Sequence, residues 1–278
     1  MNTEFYTDAA GDVCEDLAGC SASGAWVLDG ASGVVRAGIT DAPSDGRWYV
    51  EHVSEYINEN LNDERPLPEV IRSAVRDVRE HFESLPGGET AEVIERPLAA
   101  AAVIRVRDQY VEYCLSADCN LAVLRSSGAV EVFYGDGPRD IDAAVLEEIQ
   151  RLKREEGLSH SDARDVVRGM IVDGRRQLNQ PDGYWALSFD ERAIDHARAS
   201  TLNVDTIDAL CLFSDGFERL LELFEAIEYR TLFAKALTNG PDALVKMLRR
   251  AEQEDPKCRR YPRVKPSDDA SVAFVDLR

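Results

Sequence analysis

Lysine is scarce in this chain, occurring at positions 153, 235, 246, 257 and 265, and the 32 basic residues face 52 acidic ones. A formal net charge of −20 leaves no basic stripe, which excludes the electrostatic footprint of a nucleic-acid binder. No apolar run is long enough to span a bilayer, and the acidic start MNTEFYTDAAGD lacks the apolar stretch of a secretory signal, so no membrane association is expected. The six cysteines (14, 20, 114, 119, 211 and 258) form no C-x-x-C pair and read as reduced thiols of a cytoplasmic protein. A G-x-x-x-x-G-K-[ST] loop, a G-x-G-x-x-G turn, a G-x-S-x-G elbow and an H-E-x-x-H pair are all absent. His52, His81, His160 and His196 have no partner at ligand spacing, so nucleophile–histidine chemistry has little support. The acid excess with few lysines suits a protein working at high salt, where screening removes self-repulsion; an ordinary acidic protein from an arginine-favouring genome is the other reading.

What is present is a chain of 278 residues, 44% hydrophobic, able to bury a large core. Strand patterns fall at Ala25–Leu28, Ala99–Arg107, Gln109–Ser116, Leu121–Arg125, Ala129–Tyr134, Tyr184–Phe189, Ala209–Phe213 and Ser271–Leu277. Helical periodicity predicts Arg47–Asn62, Leu67–Leu85, Asp140–Glu156, Ser161–Leu178, Gly216–Ile227, Arg230–Leu237 and Pro241–Glu254. This order is not a steady βαβ alternation; it predicts antiparallel sheets with helices outside, an α+β layered fold. With no repeat or low-complexity linker, one domain over 1–278 is expected, with a helical insert at about 139–183.

Carboxylates stand out at three places in the chain. Asp29 in GAWVLDGAS and Asp215 in DALCLFSDGFERL each follow an apolar run and precede a glycine, while Asp268 and Asp269 stand just before the last strand pattern. A lone D-G after a strand is usually a turn. Three strand ends meeting at one edge, however, would gather carboxylates with no base beside them in sequence. Such a cluster needs neutralising cations, and hard divalent ions with oxygen ligands are the natural choice.

The ordered set CED, WVLDGAS, LSADCNLAVL, LCLFSDGFERL and SDDASVAFVDL resembles the metal-dependent serine/threonine protein phosphatases of type 2C, over residues 11 to 278. The resemblance implies a four-layer α-β-β-α sandwich with two central antiparallel sheets. It implies Asp29 as the carboxylate bridging two Mg²⁺ or Mn²⁺ ions, Gly30 as a carbonyl donor, and Asp215 and Asp268 as further ligands and, with Asp29, the catalytic set. Glu15 and Asp16 would serve the second ion, and Asp118 a third, weaker one. The implied reaction is in-line attack of a metal-bridging hydroxide on phosphoserine or phosphothreonine of a protein substrate; the sequence does not fix the oligomeric state, and a monomer is the default.

The chain also departs from the pattern. Gly11 stands where the family places a phosphate-gripping arginine, which leaves Arg36 as the candidate. The family's GDSR-like motif is reduced to ADCN, and Arg219 replaces an expected acid, with Glu218 beside it expected to point elsewhere. The resemblance therefore supports two ions and leaves the third open. A fold retained without turnover, as a pseudophosphatase binding module, and a phosphatase of small molecules are the alternatives.

Overall fold

The computed structural model describes residues 1–35 and 38–278. One sheet has the strand order β1 (Asn2–Asp8), β10 (Ala270–Asp276), β9 (Ile207–Phe213), β6 (Asn120–Arg125), β7 (Val130–Phe133). The other runs β2 (Asp16–Ser21), β3 (Gly24–Ala31), β4 (Leu98–Val106), β5 (Tyr110–Ser116), β8 (Arg198–Asn203). All named pairings are antiparallel. Between the sheets lies an apolar layer that includes Val27, Ala102, Ile104, Leu210, Leu212 and Ala273.

Helices cover both outer faces. α1 (Asp45–Asn60) and α2 (Leu67–Ser84) lay Val53, Ile57, Ile71 and Val75 against Trp26 and Leu28 of β3. On the opposite face α7 (Tyr229–Asn239) and α8 (Pro241–Glu254) set Phe233, Leu244 and Leu248 against Phe213 and Phe274. The result is the expected four-layer α-β-β-α sandwich of two central antiparallel sheets. A separate apolar cluster of Val145, Ile149, Leu152, Ala163 and Val167 holds together α3 (Arg139–Glu155), α4 (His160–Val166) and α5 (Arg168–Arg175), within the segment expected to be helical. Among the described residues no helix is long and apolar enough to cross a membrane, and all six cysteines are free.

Several expected elements differ. Tyr184–Phe189 forms no strand and makes only isolated bridges, Ala99 with Leu187 and Leu178 with Tyr184. The helix expected over Ser161–Leu178 is interrupted at Val167, between α4 and α5. Only Asp215–Glu218 (α6) of the helix expected after β9 is helical, because turns bury Leu220, Leu221 and Phe224 in the outer core instead. β1, β2 and β8 carried no clear strand signal. β1 and β8 are sheet edges, and none of their residues is fully buried, so neither needs an apolar alternation. β2 uses small residues, since a side chain at Gly19 would collide with the Trp26 indole.

Candidate metal centre

Asp29 lies near the end of β3, directly across from Asp16 at the start of β2. Directly opposed residues on an antiparallel pair share a face, about 5 Å apart at Cβ. Asp215 opens α6 at the end of β9, and Asp268 stands two residues before β10, the strand paired with β9. Asp118 occupies the turn from β5 to β6, where Ala117 adopts a positive φ of 54°. The two sheets thus bring one end of several strands to a common rim.

The glycines that looked like turn residues have another purpose. β3 continues through Gly30 to Ala31, so no turn follows Asp29. Gly30 donates its N–H to the Glu15 carbonyl at 3.2 Å, and a Cβ there would overlap that carbonyl. A Cβ at Gly216 would likewise overlap the Asp269 carbonyl. Each glycine lets a neighbouring loop close onto the carboxylate before it, drawing Asp16 toward Asp29 and Asp268 toward Asp215.

The crowding is visible in the acids' proton affinities. Burial, then the charges of neighbouring aspartates, pushes Asp16 and Asp29 well above the usual carboxylate range. Asp118 rises to about 8, through burial and then the charge of Asp215. Asp16 is 1% exposed, and its Oδ2 is buried with no hydrogen-bond partner. An orphaned carboxyl oxygen inside an all-oxygen cluster is what a hard divalent cation would satisfy. Among the described residues, no three acid, histidine or cysteine side chains stand in geometry to hold an ion.

Asp268 differs from its neighbours. Its Oδ1 accepts from Lys265 Nζ at 2.7 Å and its Oδ2 from Arg219 Nη2 at 2.6 Å. Burial opposes its ionisation, but these two cations outweigh burial and hold the carboxyl below the usual range. Arg219, expected as a lost ligand position, is therefore turned to Asp268. Glu218 does not point elsewhere: it accepts from Asn120 Nδ2 at 3.2 Å, and the same Nδ2 donates to the Asp118 carbonyl. Glu218 also rises to about 7, through burial and the charge of Asp215.

Glu15 is committed to its surroundings, accepting from the Ser32 hydroxyl and N–H, while Ser32 Oγ accepts from Gly46 N in the first turn of α1. Asp269 clamps the chain before β2, accepting from Ala10 N at 2.8 Å and Glu15 N at 2.7 Å. Arg36 lies outside the described residues.

Two cavities of about 320 and 220 Å³ meet at this rim. Both are lined by Asp215, Asp268, Lys265, Asp142, Arg175 and Tyr184, and the smaller also by Asp29 and Asp118. Asp142, Arg175, Tyr184 and Lys265 went unrecognised in the sequence. Asp142 on α3 rises to about 6, through desolvation in the cleft and then the charge of Asp215. Arg175, 8% exposed at the end of α5, donates to the carbonyls of Arg96 and Ser32, each at 3.1 Å. None of these residues sits in a strand-end D-G context; the folding of 139–184 over the rim brings Asp142, Arg175 and Tyr184 there, and Lys265 comes from the segment just before β10.

Neither a family model nor a curated protein matches the sequence. Solved structures do match across the chain. The serine/threonine phosphatase PstP/Ppp of Mycobacterium tuberculosis is similar with a TM-score of 0.60 and 14% identity, covering 100% of this chain and 98% of that one. The Ser-Thr phosphatase MsPP of Mycobacterium smegmatis, in complex with cacodylate, gives 0.53 and 15%, covering 100% and 99%. The catalytic domain of PstP in complex with two manganese ions gives 0.54 and 12%, covering 99% and 97%. At these identities the likeness is one of fold: this chain has the fold of the type 2C serine/threonine phosphatases.

Proposed function

We propose that this chain, built on the type 2C phosphatase fold, hydrolyses phosphoserine and phosphothreonine in proteins with a bound Mg²⁺ or Mn²⁺. The observation that carries the reading is the gathering of Asp16, Asp29, Asp118 and Asp215 at one sheet rim, with the buried Oδ2 of Asp16 left unpaired. Asp16, Asp29 and Asp215 would hold the ion, with Asp118 and the Gly30 carbonyl beside them. When bound, such an ion supplies positive charge to the phosphoryl oxygens and eases the deprotonation of water near neutral pH.

The chain's own residues do the rest. Arg175 lines the cleft and has N–H groups beyond the two given to backbone carbonyls, which suit it to grip a phosphoryl oxyanion where Gly11 offers no side chain. The α3–α5 helices wall one side of the cleft through Pro138, Asp142 and Arg175, limiting the water around a bound phosphate.

A non-hydrolysing binding module is the second reading, favoured by one observation: both oxygens of Asp268 already hold cations. Turnover of p-nitrophenyl phosphate and of phosphoserine peptides with added Mn²⁺ decides between them. The expected result is metal-dependent hydrolysis that Asp29→Asn and Asp215→Asn each reduce at least about a hundredfold, the scale of losing a charge-stabilising group. Absence of turnover in protein that binds Mn²⁺ would favour the binding module.

A further inference from the structure

The ion pairs on Asp268 are anchored far outside the rim. Arg219 Nη1 stands 4.0 Å from Glu252 Oε1, an oxygen that is buried without a hydrogen bond. Glu252, on α8 and 3% exposed, accepts from Arg249 Nη1 at 2.8 Å through its other oxygen. Arg249 reaches Asp8 on β1, Nε to Oδ2 at 2.7 Å, and its Nη1 donates to the Asp268 carbonyl at 2.8 Å. The run Asp8–Arg249–Glu252–Arg219–Asp268–Lys265 therefore crosses from an outer helix to the rim. Arg219 stands beside that buried carboxylate without hydrogen-bonding it, and its side chain and that of Asp268 are both largely enclosed, so their contact is not a stray surface pair.

Charge at the rim is then divided unevenly. On the Asp268 side, an ammonium and a guanidinium face one carboxylate. On the Asp16–Asp29 side, among the described residues, no base is hydrogen-bonded to either carboxylate, and the Asp16 Oδ2 is orphaned. A divalent ion approaching Asp268 would have to displace Lys265 Nζ or sit beside it against Coulomb repulsion. An ion approaching Asp16 and Asp29 displaces no hydrogen-bonded base, although Lys265 lines the cavity beside Asp29.

We infer that this centre holds one divalent cation, at Asp16, Asp29 and Asp215, and that Lys265 and Arg219 provide at Asp268 the positive charge a second ion would bring. This rests on the proposed metal-dependent reading and differs from the two manganese ions of the PstP structure. The Lys265 side chain is 54% accessible, so its replacement disturbs little packing, and it is the more easily displaced of the two bases.

The test counts ions without relying on catalysis. Mn²⁺ is titrated calorimetrically into the full chain, and the loaded protein is examined by low-temperature electron paramagnetic resonance. Wild type is expected to bind one ion with an isolated six-line signal. Lys265→Met is expected to bind a second at least about tenfold more tightly than wild type does, with the exchange-coupled spectrum of two neighbouring ions. Lys265→Gln, polar and similar in length, should behave as Lys265→Met does. Two tightly bound ions in wild type, or a single ion in both variants, would overturn the inference and leave the proposed function standing. No bound ion in any of the three proteins would overturn both.

Discussion

Replacing Asp29 by asparagine should make the metal-free protein more stable while abolishing its response to metal. Asp29 faces Asp16 across β2 and β3, and Asp215, Asp118 and Asp268 add their charges from the rim. Two carboxylates about 5 Å apart at an effective dielectric near 20 repel by about 3 kcal/mol. Both acids are raised above the ordinary carboxylate range, so the folded state binds protons that the unfolded chain releases. That part of the stability is full below the unfolded value near 3.8 and is lost as the pH rises through the folded values. The amide removes one charge of the pair with little change in shape. At pH 8, metal-free Asp29→Asn should gain about 1 to 3 kcal/mol, or several degrees in melting temperature, and the gain should shrink at pH 5. Mn²⁺ should raise the melting temperature of wild type and leave the variant unmoved. Differential scanning calorimetry with and without Mn²⁺ reads both effects. A metal-free variant no more stable than wild type at pH 8, with unchanged circular dichroism, would refute the crowded-carboxylate account.

Two further outcomes follow from neighbouring groups. Arg175→Met should raise KM for a phosphoserine peptide about tenfold or more, the scale of a charge-assisted hydrogen bond, with Mn²⁺ affinity unchanged; a KM left at the wild-type value would remove Arg175 from phosphate binding. Asp255 receives N–H groups from Arg259 and Tyr261 and pairs with Arg263, 4% exposed, at 3.1 Å, fixing the loop that leads to Lys265. Asp255→Ala strands a buried guanidinium and should cost about 3 kcal/mol in urea denaturation. Burial disfavours the Asp255 anion, but these donors prevail and lower it to about 2. Its contribution is therefore present above the ordinary aspartate value and lost as the pH falls toward about 2, so the gap between variant and wild type should close below pH 3. A gap that stays constant to pH 2 would show that the carboxylate does not stabilise the loop.

The layered architecture was legible in the sequence because its signals are local. The apolar runs before Asp29 and Asp215 are central strands, and the 3.6-residue stripes of α1, α2, α3 and α8 bury one face each. Edge strands β1 and β8 escaped because an exposed edge makes no demand for apolar alternation. The aspartates at strand termini could likewise be nominated from sequence, since Asp29 and Asp215 come after apolar runs and Asp268 comes just before the last one. Which partner each one meets could not. The purposes of Gly30 and Gly216 depend on backbone that arrives from Glu15 and from Asp269, and the place of Arg175 depends on how residues 139–184 fold over the rim. The sharpest case is Lys265 and Arg219: they lie 46 residues apart in sequence, yet they close on the two oxygens of one carboxylate. Sequence alone determined which side chains could carry charge to the rim. Tertiary structure decided how that charge is paired, because ion pairing depends on separation in space and on burial, and neither is encoded in local pattern.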